Sequence, residues 1–472
     1  MNGRSRPGRA RSGAGPAALV LLWCAACAGL AAPPARAEPV PEALSGISVA
    51  LGPREGDVAT GPVRPLALGE ALDVALSENL DLALARAEEQ VAHGKHRVAQ
   101  GELLPSLEVG ALAGRTDGRV QGSFGKLRDV TFSTYRADVA LTYRSNLGSR
   151  LRQAMAEKNG LRAATLLALD VQQKLLVRVS QLYHDVLLAT AGVRIAGDVV
   201  KGSEEFLRIV EARSRGGVGE GSDVTLARAK LAADRQAWVQ ARLLRDGASM
   251  RLATVLHLDP AMLLEPADDR LEPRSFGRES QGSAAPEGIP DRPDVQAARS
   301  RVHAAEDALS AARWEIYGPD LVAEIRRTEI GTDIDDLERG SRNQALLLWD
   351  LSPARFSRLP QRRAERRVAE ISARAVEDRA RGEVLAARAD LRASREEIPL
   401  AHAGLQAATD NLRLNQARFQ AGTALALEVL GAEDTLAGAT LNLARAILRY
   451  NMAQVKLLAS TGKIRREAFP SP

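Results

Sequence analysis

Ala212-Arg213-Ser214-Arg215-Gly216-Gly217 and Ala417-Arg418-Phe419-Gln420-Ala421-Gly422 are the two segments that decide the fold. They align without a gap, and Asp223-Val224 after the first then matches Glu428-Val429 after the second. Each segment ends a long helical stretch with glycine, the residue that most often follows a helix. Self-similarity at a period of roughly 210 residues predicts two internal structural repeats.

Long helices are predicted on both sides of each turn. Between Gly148 and Arg215 there is no proline, and apolar residues recur at helical spacing. An opening helix is expected over about 66–104, where Pro105 ends it. The helices that flank the turns are predicted at 148–215 and 222–257, and at 361–420, broken at Pro399, and 424–460.

Each repeat also contains two candidate strands. In 137–144 apolar and polar residues alternate, which is typical of a strand with one apolar face. Leu107, Val109 and Ala111 form a weaker partner. We expect strands within 106–146 and 320–352, separated by a loop at 115–130 in the first repeat and by an acidic loop with Asp333, Asp335, Asp336 and Glu338 in the second.

The N-terminus predicts export. A basic stretch, an apolar run of about sixteen residues and Ala35-Arg36-Ala37 form the pattern of a cleaved signal peptide over 1–37, too short to span a bilayer. Lipidation at Cys27 stays open. The predicted order is then a flexible leader (38–65), a first repeat (66–258), a linker (259–291), a second repeat (292–461) and a tail (462–472).

Composition excludes several classes of function. The formal charge is +5, but 1–37 holds five arginines and no acid, so the mature chain is about neutral and nucleic-acid binding is not expected. Both cysteines lie in that segment, which leaves no thiol for disulfides, metal binding or catalysis. His93 and His96 share a helix face but need a third ligand to hold a metal. No cofactor, metal site or enzyme activity is predicted.

Four strands are too few to close a barrel in a membrane, because the smallest usual barrel has about eight. Several copies would therefore share one barrel, or the chain is a soluble periplasmic coiled-coil scaffold without a pore.

Eight of the fifteen aromatic residues after Ala37 lie in 106–146 or 314–356. They fit an interfacial girdle, or the ordinary preference of strands for aromatics.

Three stretches together resemble the TolC-like outer-membrane efflux protein family. They are Asn411 to Thr423 with Leu427-Glu428-Val429-Leu430, Leu66-Ala67-Leu68 with Glu70-Ala71, and Arg292-Pro293-Asp294-Val295. The resemblance implies a mostly α fold with a small β part. In a homotrimer, four strands per chain would form a twelve-stranded transmembrane β-barrel, continued by a long α-helical coiled-coil tunnel. After the second strand, only Gly148 and Arg150 keep the family pattern.

The resemblance further implies an exit duct in the outer-membrane lipid. It would work with a periplasmic adaptor protein and an inner-membrane pump of the RND or ABC type, in efflux or type I secretion. The sequence does not decide whether its substrate is a drug, a metal ion or a protein.

The same resemblance places the second turn at a periplasmic tip where acidic side chains ring the entrance. The two acidic positions of the family correspond to Glu428 and Gly431 in this chain, so only the first of them carries an acid here. Three copies of Glu428 would favour cations, or Glu428 only complements its helix dipole. The entrance candidates are Glu428, Glu433 and Asp223. The adaptor-docking candidates, whose glycines also serve to end helices, are Gly216, Gly217, Gly219, Ala421, Gly422 and Thr423, with Arg213 and Arg418.

Overall fold

A computed structural model describes residues 44–51, 62–121, 125–217, 221–268, 270–276 and 292–469. The predicted signal peptide with Cys27, and Gly219, lie outside these residues. The described helices are α1 (Leu68–Glu78), α2 (Leu80–Gly101), α3 (Leu147–Arg215), α4 (Gly221–Val255), α5 (Pro293–Tyr317), α6 (Pro353–Gln420) and α7 (Ala426–Ser460). The strands are β1 (Val49–Ala50), β2 (Val63–Leu66), β3 (Ser106–Gln121), β4 (Leu127–Ser145), β5 (Leu263–Pro266), β6 (Arg270–Leu271), β7 (Asp320–Asp333) and β8 (Asp336–Leu348).

The large sheet is antiparallel with strand order β3-β4-β7-β8, so β3 and β8 are its edges. Both hairpins are longer than predicted. β3 and β4 stay paired to Gln121 and Leu127, so the expected loop at 115–130 is mostly strand. Asp336 and Glu338 likewise belong to β8. The backbone hydrogen bonds of an antiparallel strand pair do not depend on side-chain charge. Charged residues in these segments therefore do not mark the ends of the strands.

The helices differ from prediction at two places. The single opening helix is instead α1 and α2, divided at Asn79, whose side chain accepts hydrogen bonds from the N–H groups of Asp81 and Leu82. α6 begins at Pro353 rather than 361 and continues through Pro360 and Pro399. Proline removes one helical hydrogen bond, but Ile398 beside it is fully buried, and this packing holds the helix together.

The helices form a layer of four columns. α3 is 69 residues long and α6 is 68. α4 meets α2 end to end where Asn79 Nδ2 donates to the Val255 carbonyl, and α7 meets α5 where Arg292 approaches the Ser460 carbonyl. α3 contacts α2, α4, α5 and α7, while α6 contacts α5 and α7. The column order is therefore α2/α4, α3, α5/α7, α6. Within the described residues, no helix is both long and apolar enough to cross a bilayer.

The described parts of the leader, which the sequence predicted to be flexible, and of the linker form short paired strands. β1 pairs with β6, and β2 runs parallel to β5. Leu44, Ile47 and Val49 are buried in the main hydrophobic core together with residues of α1, α3, α4 and α7. We call residues 44–51, 62–67, 263–268, 270–276 and 464–469 the collar. Asn451 and Gln454 of α7 fix it by hydrogen bonds to the backbone of 272–276.

Candidate functional site

The two turns have the same backbone geometry. Gly217 and Gly422 have φ of 74° and 76°, and each follows a residue in the right-handed helical region, Gly216 or Ala421. The N–H groups of Gly216 and Ala421 each donate to a carbonyl four residues earlier, at 3.0 Å. A positive φ strains any residue with a Cβ, which explains glycine at the matched positions.

A small hydrophobic core holds the two turns side by side. Phe206 from the first repeat and Phe419 from the second pack with ring centroids 5.2 Å apart. The Arg213 guanidinium lies 4.7 Å from the Phe419 centroid and also donates to the Phe419 carbonyl. The other buried members are Val210, Ala227, Ala426, Val429 and Leu430. The structure therefore brings predicted residues from both repeats together at one end of the molecule, which we call the tip.

The second turn is closed by Arg418, Thr423 and Glu428. Thr423 donates from its N–H and its hydroxyl to the Arg418 carbonyl, at 2.9 and 3.1 Å. Arg418 pairs with Glu428 at 3.3 Å, and both side chains are exposed. Glu428 thus has a cationic partner in its own chain besides its place in the first turn of α7.

Glu433 is buried rather than exposed. It is 9% exposed and packs against α3 at Gly202, where a Cβ would lie 3.4 Å from Glu433 Oε1. Burial raises the pKa of Glu433 to about 7; Lys230 partly opposes this effect, and Asp234 and Asp434 add to it. Glu433 therefore lies inside the chain and not on a surface that could line an entrance.

Lys230 forms a second contact between the repeats, an ion pair. Its ammonium contacts Asp234 on α4 and Asp434 on α7, the latter at 2.8 Å. Burial opposes the charge of Lys230, but the hydrogen bonds that Lys230 donates to both aspartates outweigh burial and raise its pKa. Asp223, in the first turn of α4, is half-exposed.

Sequence reasoning missed Phe206 and Lys230. A signal was available for Phe206. Aromatic residues make up only 3% of the chain, so an aromatic residue in a predicted helix, away from the strands, is unusual. The i,i+4 spacing of Lys230 and Asp234 was a weaker signal, because such pairs are common on solvated helices.

The contacts at the tip can hold the two repeats together or let them separate. Among the described residues, no group of three His, Cys, Asp or Glu side chains could hold a metal ion. What the arrangement provides is a set of charged and aromatic contacts between α3/α4 and α6/α7, next to two exposed glycine turns.

Comparison with known proteins identifies the same architecture. A family model described as outer membrane efflux protein matches residues 71–256 and 289–463. No curated protein matches the sequence.

Solved structures match over most of the chain. The outer-membrane channel OprN is 21% identical, with a TM-score of 0.74, over 88% of this chain and 98% of its own. The outer membrane protein VceC of Vibrio cholerae is 19% identical (TM-score 0.76, 84% and 96%). The CmeC outer membrane channel of Campylobacter jejuni is 16% identical (TM-score 0.73, 91% and 94%).

Proposed function

This chain belongs to the outer membrane efflux protein family, and from that premise we propose that it is the exit duct of a tripartite efflux or secretion system. Three copies would form one outer-membrane barrel and one periplasmic tunnel. Substrates would pass through it passively, with the energy supplied by the inner-membrane pump.

The observation that carries this proposal is the position of the open edges. The sheet ends at β3 and β8, and the helical layer ends at the α2/α4 column and at α6. β3 follows α2 directly, and α6 follows β8 directly, so the sheet and the helices are open on the same two sides. One head-to-tail contact between copies would close both layers, as cyclic symmetry requires.

The open helix edges carry apolar side chains. Leu84, Val91 and Val98 on α2 are 59 to 63% exposed, and Val368 and Ile371 on α6 are 64 and 57% exposed. At these spacings each set lies on one side of its helix. A neighbouring copy would bury both sets, and burial of exposed apolar surface favours association.

The sheet has faces suited to a membrane pore. Leu107 and Leu141 are paired in register, Leu141 is paired with Ile325, and all three are exposed on one face. Residues of the other face include Arg326, which pairs with Asp138 at 2.6 Å and with Glu324. An apolar face toward lipid and a charged face toward water are what a membrane barrel requires.

The tip would meet the periplasmic adaptor. Its turns are exposed, and Leu425 and Leu427 beside the second turn are 69 and 63% exposed. The adaptor would in turn connect the duct to an inner-membrane pump. Exported by its signal peptide, the chain would lie in the outer membrane with its helices in the periplasm.

Purification of the mature protein tests this proposal. We expect a detergent-dependent trimer whose mobility in denaturing gels changes on heating and which gives discrete conductance steps in planar bilayers. If the mature polypeptide is instead a monomer that is water-soluble without detergent and gives no conductance, it is a soluble scaffold and the proposed duct is wrong.

A further inference from the structure

The apolar face of the large sheet ends at a different level on each hairpin. On β3 and β4 the run of apolar and aromatic side chains ends at Arg115 and Ser133, which are paired in register. On β7 and β8 the corresponding run ends at Arg327 and Asn343. These four residues mark the outer edge of the same lipid layer, so a line through them shows the level of the membrane across the strands.

This line is inclined to the hydrogen-bonded rows of the sheet. Arg327 is paired with Val139, which lies six residues along β4 from Ser133, on the side nearer the helices. Asn343 is paired with Ile325, two residues nearer the helices than Arg327. A row followed from β4 to β8 therefore moves away from the helices relative to the membrane, and the strands cross the membrane at a slant.

Closure of the barrel turns this slant into an offset between copies. β8 of one copy would lie antiparallel to β3 of the next, and without an offset Asn343 would stand in the row of Leu107. The slant places a residue farther along β3 opposite Asn343. Lipid-facing side chains must meet across the contact, and they alternate along each strand, so the offset is an even number of residues. Because closure requires the trimer, the offset rests on the proposed function.

The tilt of the strands limits the size of the offset. At about 3.3 Å per residue and about 4.8 Å per strand, offsets of four, six and eight residues over four strands correspond to tilts of about 35°, 46° and 54°. Membrane barrels tilt by about 35–45°. Offsets of four and six residues therefore satisfy the tilt, and the steep slant of the apolar face favours six.

Charged side chains on the lipid-facing side also select an offset of six. At this offset Arg339 of β8 lies opposite Asp117 of the next copy, whereas it lies opposite Arg115 at four and opposite Arg119 at eight. Opposite charges directly across an antiparallel pair stabilise it, and like charges destabilise it. In its own chain Asp117 accepts a hydrogen bond from Thr131 at 2.9 Å and forms no ion pair with a described residue.

The lengths of the two strands permit this offset. β8 has 13 residues and β3 has 16. Without an offset, β8 would extend past the start of β3 at Ser106 and leave the charged end of β3 unpaired. At an offset of six, Leu348 lies opposite Glu108 and Asp336 opposite Val120, so every residue of β8 has a partner within β3.

We propose that neighbouring copies pair β8 with β3 at an offset of six residues, and that Arg339 joins its own Glu329 to Asp117 of the next copy. Arg339 pairs with Glu329 at 2.8 Å, and 89% of its side chain is exposed. A guanidinium has five N–H donors, so a second carboxylate can bind to it. The offset also sets the width of the substrate path: twelve strands at about 46° enclose a barrel about 27 Å across between backbones, compared with about 23 Å at 35°.

Cysteine pairs across the two strands test this inference, because both native cysteines lie in 1–37. Ser341→Cys on β8 is combined in turn with Ala113→Cys, Arg115→Cys or Asp117→Cys on β3, which lie opposite it at offsets of four, six and eight residues. The pair with Arg115→Cys should form disulfides between copies on mild oxidation at least about tenfold faster than the other two pairs. Those two would hold their side chains about 7–8 Å apart, beyond the reach of a disulfide.

An exchange of charges at the bridge is a second measurement. Asp117→Arg should place two arginines side by side and lower the temperature at which trimers dissociate in gels by a few degrees. Arg339→Glu should also lower it, because the glutamate would face Asp117 of the next copy and Glu329 of its own chain. The double variant Asp117→Arg/Arg339→Glu should dissociate at a higher temperature than either single variant, because it restores a pair of opposite charges between copies.

The outcomes separate the offset from the duct. Fastest cross-linking of Ser341→Cys with Ala113→Cys or Asp117→Cys would overturn the offset of six, as would the absence of all three cross-links in trimers that conduct and change mobility on heating. A double charge variant less stable than both single variants would likewise contradict the bridge. A polypeptide that forms neither a trimer nor a conducting pore removes the proposed function instead.

Discussion

Arg213 of the first repeat holds Phe419 of the second, with its guanidinium 4.7 Å from the ring centroid and a hydrogen bond to the Phe419 carbonyl. These residues lie directly before the two glycine turns. The contact therefore joins the ends of α3 and α6 at the point where the tunnel would open.

Removing this contact should loosen the tip. A cation–π contact together with a charged hydrogen bond contributes about 2 kcal/mol, so we expect Arg213→Ala to speed amide exchange in 206–217 and 419–430 roughly thirtyfold. Arg215→Ala is the control, because Arg215 donates to the backbone of its own helix. Equal exchange in both variants would show that Arg213 does not hold the repeats together.

Glu428 and Arg418 should act in opposite directions on ion selectivity. Glu428→Gln removes a carboxylate at the tip and should reduce cation preference, whereas Arg418→Gln frees that carboxylate from its 3.3 Å ion pair and should increase it. Reversal potentials across a salt gradient in planar bilayers measure both. If neither variant shifts the reversal potential, Glu428 complements the helix dipole only.

Glu433 should make the tip sensitive to pH. Its pKa rises from 4.5 to about 7 in the folded chain, chiefly through burial. The folded state therefore holds its proton more tightly than the unfolded state. Local stability should be highest at low pH and fall as the pH rises through about 7, by up to about 3 kcal/mol.

Amide exchange of α7 between pH 5 and 8, corrected for intrinsic rates, measures this slope. Glu433→Gln should remove it and stabilise the helix at pH 8, because an amide carries no charge to bury. Glu428→Gln, on the exposed side of the same helix, should retain the slope. A wild-type protein whose corrected exchange does not change over this range would contradict a buried, titrating Glu433.

Features that depend on backbone conformation or on local pattern could be predicted from the sequence. Gly217 and Gly422 mark the turns because only glycine adopts their positive φ without strain. The alternation in 137–144 predicts a strand because the faces of the sheet differ in polarity. Both patterns lie within a few residues of the chain.

Features that depend on distant contacts could not be predicted. Pro399 does not end α6, because packing at Ile398 outweighs one lost hydrogen bond. Glu433 is not an exposed gate residue, because its neighbours Gly202 and Lys230 come from the other repeat, more than 200 residues away. Neither neighbour can be inferred from the residues around Glu433.

Gly148→Ala should disturb the junction between the sheet and the helices. A Cβ at Gly148 would lie 2.3 Å from the Trp314 ring. Asn146, the N-cap of α3, keeps the Trp314 ring near Gly148, because its side chain donates hydrogen bonds to the Trp314 and Gly318 carbonyls. We expect a loss of about 1–3 kcal/mol, seen as a lower temperature of trimer dissociation in gels.

Gly160→Ala is the matched control for this junction, because it lies in the same helix and a Cβ there meets nothing within 4 Å. It should be neutral or slightly stabilising, since alanine favours a helix interior. If both variants dissociate at the wild-type temperature, Trp314 moves away without cost.

The contact between copies can be tested with introduced cysteines, because both native cysteines lie in 1–37. Leu84 stands 17 residues before the end of α2 at Gly101, and Ile371 stands 18 residues after the start of α6 at Pro353. Both therefore lie about 26 Å below the sheet. Leu84→Cys/Ile371→Cys should cross-link on mild oxidation into covalent dimers and trimers. Leu84→Cys/Leu400→Cys places the second thiol about 40 Å further along α6 and should stay monomeric in denaturing gels. Cross-linking in the second pair and not in the first would mean that the copies do not meet along these edges in the register required to close sheet and helices together.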